Sequence, residues 1–406
     1  MQKLCDRCKK AGRVFCPHNT ALEAQKRMKG MLKQDMFGPT PPNLMVGHSF
    51  YPNVYWGPLV CMKDTKDDPN SMYGMSAEEI IELRASVVRG MKKANVKQKT
   101  RMLEDAQAAV MSIRPVDIET RFSKKPSFGL KTDRVTSPVG ASAPIEKLRL
   151  AENPAVPKKV DEFYNENVLA SEALQELLLS GFDVHYLSKL LCSGILGKKQ
   201  SKKLVPTKWA ITATDDIAAK HLMESIRYCR QVDQPLIFSN TYLDNHFEVL
   251  LLPGNWEYEQ FEALVTKELE QKRARDAVYS FAPWEEWVYD GRINVSIEHE
   301  GFEGRADYAK SQGGGYYAAR FAVCEELYRM KRQARAIVFR EIGTSYTVSV
   351  GVWEVRENVR HAFANQPEKL QTMDEALAHL AKKLAVPVNV YRKKSEVLSQ
   401  TRLTGF

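Results

Sequence analysis

The chain has 406 residues, of which 44% are apolar and 27% charged, so it can bury more than one core, and two or three domains are expected. No run of about 18 apolar residues could cross a bilayer, and the opening MQKLCDRCKK lacks the apolar stretch of a secretory leader, which excludes membrane-spanning and secreted classes and predicts a cytoplasmic protein. The net charge of +9, from 59 basic against 50 acidic residues, favours a polyanionic partner such as nucleic acid.

The first motif is CDRCKKAGRVFCPHN. Cys5 and Cys8 form a Cys-x-x-Cys half-site, and Cys16 with His18 could close a tetrahedral set, so a structural zinc knuckle is expected over 1–19, with His48 a more distant fourth ligand. The segment has too few apolar residues to fold without such help. The remaining cysteines, Cys61, Cys192, Cys229 and Cys324, are scattered, as free thiols rather than a disulfide framework would be.

Residues 20–33 read as a basic helix with Thr20 and Glu23 in capping-box register. MFGPTPPNLMVGHSFYPNVYWGPLV then carries too much proline and glycine for a long element. Its His48, Tyr51, Asn53 and Tyr55 suit either a packed loop or a binding loop, and Pro52 and Pro58, as fixed turns, favour the packed reading. Ser76 begins a helix with an acidic first turn, and 105–111 belongs to another. Between them RASVVRGMKKANVKQKTR holds Arg84, Arg89, Lys92, Lys93, Lys97, Lys99 and Arg101 and no acid. Residues 112–159 are proline-rich and weakly periodic, an irregular connector.

Residues 161–180 show helical periodicity closed by Gly181, and GFDVHY places Asp183 and His185 on one face of a strand. CSGILGKKQSKKLVPTKWAITAT is a second acid-free run, with Lys198, Lys199, Lys202, Lys203 and Lys208. Two such runs are what sequence-independent phosphate contact requires, and DNA is the expected partner. KWAITAT alternates as a strand, and a helix follows from about Thr214, whose Asp215 and Asp216 suit a helix start. PLIFSNTYLDNHFEVLLLPG contains two strand-like runs, and YEQFEALVTKELE reads as a helix. Beyond 287 a new unit is expected, with strands in RINVSIEHE, ARAIVFREI, YTVSVGVWEV and VPVNVY and helices in YYAARFAVCEELYRMKRQ and MDEALAHLAKKLA. The fold class is α/β or α+β, with mixed sheets, packed helices, the small knuckle and a flexible tail. The expected domains are 1–19, 20–287, 288–391 and 392–406.

Catalytic motifs are scarce. Gly313, Gly314 and Gly315 precede a helix with Arg320 one turn in, a candidate phosphate site that fits neither a Walker loop nor a dinucleotide fingerprint. Acids crowd EHEGFEGRAD, but Glu298 and Glu300 would share a strand face that His299 does not. An enzyme acting on a nucleotide or phosphodiester is the alternative to a binding factor, with no catalytic residue assigned. The last seven residues, QTRLTGF, space Gln400, Leu403 and Phe406 three apart, so a 3₁₀ turn would align them. They resemble a sliding-clamp binding motif, with one terminal aromatic where the pattern usually has two.

Together with the N-terminal cysteines, YPNVYWGPL, LVPTKWAITATDD, GGGYYAARFAVCEEL and GVWEVRENVRHAF, the chain resembles the archaeal Nre family from Cys5 to Phe406. The resemblance implies a role in the DNA-damage response, a zinc-finger-like N-terminus, and recruitment to the archaeal sliding clamp, PCNA, through the tail. Other repair proteins are further implied partners, with a cytoplasmic, nucleoid-associated location. The family's cluster usually has two cysteine pairs, whereas here the last position is His18.

Overall fold

The computed structural model describes residues 16–61, 68–128, 140–265, 295–343, 345–346 and 349–399. The chain divides into two units, 1–218 and 219–406. Each holds a six-stranded sheet that mixes parallel and antiparallel pairs, so the fold is a mixed α/β one with packed helices.

The first unit contains α1 (Pro17–Lys29), β1 (Asp35–Thr40), β2 (Leu44–Val46), β3 (Asn53–Cys61), α2 (Pro69–Met72), α3 (Ala77–Ala85), β4 (Val87–Asn95), α4 (Arg101–Met111), β5 (Val116–Phe122) and β6 (Ser142–Leu150). Helices α5 (Lys158–Asn165), α6 (Ala170–Leu179) and α7 (Val184–Cys192) follow. The sheet order is β1-β5-β6-β4-β3-β2, antiparallel except between β4 and β6. One core sets Val54 and Trp56 of β3 against Leu103, Leu174, Leu177, Leu187 and Leu190 of the helices. Another gathers Met28, Val60, Val88, Ile118, Phe122 and Ile145. Full burial of each such side chain contributes about 1.5–3 kcal/mol. The paired strands β3 and β4 approach so closely at Gly57 that a Cβ there would run into the Gly90 carbonyl oxygen.

Several local expectations hold. Ser76 starts α3, where it and Glu79 prove to form a reciprocal capping box, and Gly181 closes α6 at φ +83°. Thr100, which the sequence did not single out, caps α4 by accepting from the Leu103 N–H. Other expectations are corrected. Thr20 lies inside α1, where its hydroxyl donates to the Cys16 carbonyl instead of capping. The supposed connector 112–159 supplies β5 and β6; burial alternates along all of β5, and along β6 except at Glu146 and Lys147, across from a register shift at Arg121 and Phe122. Asp183 sits on no strand, and it caps α7 by accepting from the His185 N–H at 2.8 Å. KWAITAT is helical, because α8 (Thr207–Ile226) starts directly after Pro206.

The second unit's sheet has the order β11-β10-β13-β9-β8-β14, with β8 (Leu236–Tyr242), β9 (Asn245–Leu252), β10 (Glu257–Leu264), β11 (Val295–Glu300), β13 (Arg335–Ile342) and β14 (Glu368–Lys369). Strands β7 (Arg230–Gln231) and β12 (Arg332–Gln333) pair separately. The hairpin β8–β9 turns through Leu243 and Asp244, both at positive φ, as a two-residue turn matched to strand twist requires. Because β8 to β10 share this sheet with β11 and β13, the division between units falls well before residue 287.

On one sheet face lie α9 (Gly314–Met330) and α10 (Trp353–Ala364), reached by Tyr258, Glu262, Glu300 and Arg340. On the other lie α11 (Met373–Lys383), α12 (Val388–Lys394) and α13 (Glu396–Ser399), reached by Glu259, Phe261, His299, Arg335 and Glu341. Three expectations fail here. Tyr258 to Leu264 of YEQFEALVTKELE are strand rather than helix. GVWEV opens α10 instead of closing a strand, and VPVNVY forms α12, which brings Tyr391 onto Phe261 and Phe339.

Candidate nucleic-acid interface

Three stretches of the first unit, 36–61, 83–103 and 184–214, contain no Asp or Glu in the sequence. The fold joins them at Val96. Its N–H donates to the Pro52 carbonyl and its carbonyl accepts from the Leu204 N–H, both at 2.9 Å. The end of β4, the loop before β3 and the lysine-rich turn before α8 are thereby held together, and the two basic runs predicted from sequence become one neighbourhood.

Aromatic rings occupy the centre of it. The Tyr51 ring lies 5.2 Å from that of Trp209, with planes 53° apart, and the Lys203 ammonium stands 6.0 Å from the Tyr51 centroid and 3.3 Å from its hydroxyl. Tyr55 is the register partner of Lys93 and so shares its face, and the edge of Phe50 meets Tyr55 at 6.2 Å. These rings keep 64% (Phe50), 41% (Tyr51), 39% (Tyr55) and 49% (Trp209) of their residues' surface in solvent. Scattered exposed aromatics are ordinary, but two contacting pairs, one with the Lys203 ammonium beside it and one with Lys93 in register, are not.

The scaffold beneath is fixed. The Pro206 carbonyl accepts from the N–H groups of Trp209 and Ala210, and the Thr207 hydroxyl accepts from the Val46 N–H at 2.9 Å. That hydroxyl also lies 3.4 Å from the Cys192 sulfur, a thiol pushed up to about 12 by burial and therefore inert. Trp209 thus projects from a helix start tied to β2.

The basic residues are not equivalent. Lys93, Lys97, Lys99, Arg101, Lys198, Lys199, Lys203 and Lys208 are exposed. Lys202 is half-buried. It donates to the Tyr164 carbonyl at 2.6 Å and sits 4.7 Å over that ring, and burial, followed by the charges of Lys199 and Lys99, lowers its pKa. Lys92 pairs in register with buried Trp56 and so projects from the face opposite to Tyr55. Arg84 in α3 and Arg89 in β4 are half-buried, and burial lowers the pKa of Arg89. Neither belongs to the exposed group.

The zinc expectation is overturned. Among the described residues no three His, Cys, Asp or Glu side chains gather where they could hold a metal ion. Cys16 is a fully buried free thiol at the start of α1, where its carbonyl accepts the first helical N–H groups, and His18 lies within the first turn. Cys5 and Cys8 lie outside the described residues, as do Gln400, Leu403 and Phe406.

In the second unit the glycine-rich helix start is filled by protein. Gly313 takes φ +54°, and a Cβ on Gly315 would stand 3.0 Å from a Glu262 carboxylate oxygen. Gly314 opens α9 between them. Arg320 is wholly buried and donates to Glu300 at 2.7 Å, with the Tyr316 hydroxyl donating to the same oxygen at 2.9 Å. The guanidinium thus answers an internal carboxylate and is not presented to solvent. Nearby, Arg340 donates to Glu262 at 2.9 Å and to the Asn245 side chain at 2.7 Å, and lies 3.5 Å from Glu354.

Residues 11–269 match the family described as archaeal Nre, N-terminal, and residues 300–406 match archaeal Nre, C-terminal. The chain belongs to the archaeal Nre family. Similar relatives include "DNA repair protein NreA" of Archaeoglobus fulgidus, 34% identical with 99% of this chain and 98% of the relative covered, and "DNA repair protein NreB" of the same organism, 34% identical with 98% and 97% covered. "DNA repair protein NreA" of Haloferax volcanii is 33% identical over 94% of this chain and 91% of its own. No solved structure is significantly similar to this Nre chain. Among the described residues no helix is long and apolar enough to cross a membrane.

Neither the basic runs nor the glycines reveal the aromatic group in advance. Phe50, Tyr51 and Tyr55 stand in the loop expected to be packed, and Trp209 in a segment expected to be strand. The usable signal is chemical: four rings in segments that also lack acids.

Proposed function

We propose that this Nre protein is a DNA-repair factor that binds DNA through the basic face around Val96 and is recruited to the sliding clamp, PCNA, through QTRLTGF. The repair role is supported by relatives named as DNA repair proteins over nearly the whole chain. The observation that supports the DNA reading is the hydrogen bond from Leu204 to Val96, which holds two separately acid-free, lysine-rich segments side by side. Phosphate contacts of this kind need positive charge and donors in reach, not a sequence-reading element.

Titration of duplex and single-stranded oligonucleotides at several salt concentrations tests it. Removing one lysine that neutralises a phosphate should flatten the slope of log affinity against log salt by about 0.7–0.9. Substituting Lys93, Lys97, Lys99 and Lys203 by Gln should therefore reduce that slope by roughly 3, while a flat response in the unaltered protein would refute DNA binding by this face. The clamp arm is separate. Calorimetry against PCNA should show binding by the full chain and about tenfold or greater loss in a chain ending at Ser399, since anchors in a small interface carry most of its energy. Equal affinities would exclude QTRLTGF as the recruiting element.

A further inference from the structure

We infer that Tyr51 and Trp209, flanked by Phe50 and Tyr55, form a stacking platform for unpaired bases, so that the DNA taken by this face is single-stranded; the inference rests on the DNA-binding reading above. Lysine clusters recognise phosphates in any nucleic acid, paired or not. Aromatic faces add something only when bases are unstacked, because inside a duplex each base face is already covered by its neighbours. A surface that binds duplex DNA through its backbone alone has no use for exposed rings.

Three features point to a platform rather than incidental exposure. The rings are connected, Tyr51 with Trp209 and Phe50 with Tyr55, at 5.2 and 6.2 Å. They are held from behind, Tyr51 by its N–H to the His48 carbonyl and by Val96 at Pro52, Trp209 by the Pro206 carbonyl. Each pair also has a cation beside it. Lys203 stands by the Tyr51 ring and Lys93 opposite Tyr55, so a strand whose bases rest on the rings would lay its phosphates against ammonium groups. The tilt of 53° between Tyr51 and Trp209 gives two differently inclined faces, suited to successive bases that are splayed rather than stacked on each other.

The test uses the full chain and fluorescence anisotropy with an oligo-dT single strand, an oligo-U strand and a blunt duplex of equal length. Trp209→Ala and Tyr51→Ala should each weaken oligo-dT binding by about tenfold, since stacking contributes on the order of one such factor per base. Both should leave duplex affinity and the salt slope unchanged. Trp209→Phe should recover most of the loss, and oligo-dT should quench Trp209 fluorescence, which a merely structural role for the ring would not produce. Equal losses on single strand and duplex, or no loss on either, would overturn the platform, as would binding confined to oligo-U. If the lysine variants change affinity and Trp209→Ala does not, stacking fails while DNA binding stands. If neither does, the DNA reading fails with it. Because Trp209 is half exposed, melting curves of Trp209→Ala should match the unaltered chain; a large shift would count against a ring free to meet a ligand.

Discussion

The two units use the same side chains in opposite ways. Around Val96 the lysines face solvent beside half-exposed rings, and acids are absent from the adjoining sequence. In the second unit Arg320 and Arg340 are buried against Glu300, Glu262 and Glu354, with Tyr316 and Phe247 rings within 6 Å of the guanidinium carbons. A cation with its counter-charge inside the fold serves the fold. A cation whose counter-charge is missing is available to something else. Arginine over lysine follows the same division, because a planar fork can satisfy several buried acceptors and a compact ammonium stays better hydrated.

The strongest way to break this comparison is at Arg340. Replacement by Met should cost about 3–5 kcal/mol, because Glu262 and Glu354 would lose the cation that offsets their burial and the Asn245 oxygen would lose both its donors. Urea unfolding reads the loss as a lower midpoint at similar slope. A change under about 1 kcal/mol would show that the buried network is not what holds this sheet to α10.

A second effect is a pH dependence. Burial pushes the Glu354 carboxyl up to about 7, against the opposing pull of Arg340 and the Asn358 amide. The folded chain therefore holds this proton more tightly than the unfolded one. The associated stability is complete below the ordinary value near 4.5, declines as pH rises, and is gone once pH passes about 7. The span corresponds to on the order of 3 kcal/mol at 1.36 kcal/mol per unit. Melts between pH 4.5 and 7.5 should show a distinctly shallower slope in Glu354→Gln than in the unaltered protein, the remainder coming from other buried carboxyls whose pKa burial raises, such as Glu262 and Glu341. Glu257, whose carboxyl is held below its usual range by His299 and Arg335 despite burial, contributes with the opposite sign, but equally in both proteins. Parallel profiles would remove Glu354 as the source.

These buried networks also explain what the sequence concealed. EYEQFEAL looks helical because its acids and amide suggest a solvated side, yet Glu259 is buried. Its partners are the hydroxyl of Ser395 and the N–H groups of Glu396 and Val397, more than 130 positions away. No local pattern announces such partners. VPVNVY likewise reads as strand from its β-branched residues, and tertiary packing of Val388 and Tyr391 overrides that preference. What was legible was local chemistry: the helix start at Ser76, the two strand-like runs that become β8 and β9, the periodic α9 and the alternation that separates His299 from Glu298 and Glu300. The basic runs were legible too. Their union was not, because it depends on a hydrogen bond between residues 96 and 204.

His299 offers a smaller effect. It lies on the sheet face away from Arg340, 3.1 Å from Glu257 and 3.3 Å from Glu396, and the hydrogen bond with Glu257, aided by Glu396 and Glu259, raises its pKa against burial. Its contribution is present below about 6.5 and fades as pH climbs through the raised value. Allowing for partial solvation, His299→Gln should cost about 0.5 kcal/mol at pH 6 and almost nothing at pH 9. Because Glu396 begins α13, faster amide exchange at Val397 and Leu398 at the lower pH is the sharper readout. Unchanged exchange there would mean that α13 is held by Glu259 alone.

The smallest effect has the opposite sign, and it bears most directly on the difference between the units. Lys202 is half-buried with Lys199 and Lys99 close enough to oppose its charge, an arrangement that costs the free protein something and that a bound polyanion would relieve. Removing one of the three should therefore stabilise the unbound chain. We expect Lys99→Gln to raise stability by about 0.2–0.5 kcal/mol at low ionic strength and by nothing measurable near 1 M salt, where the screening length falls to about 3 Å. The same substitution should weaken DNA binding. Stability and affinity moving in opposite directions on one lysine is the signature of charge kept for a ligand; a loss of stability in Lys99→Gln would instead place this lysine among the residues that hold the fold, as Arg340 does.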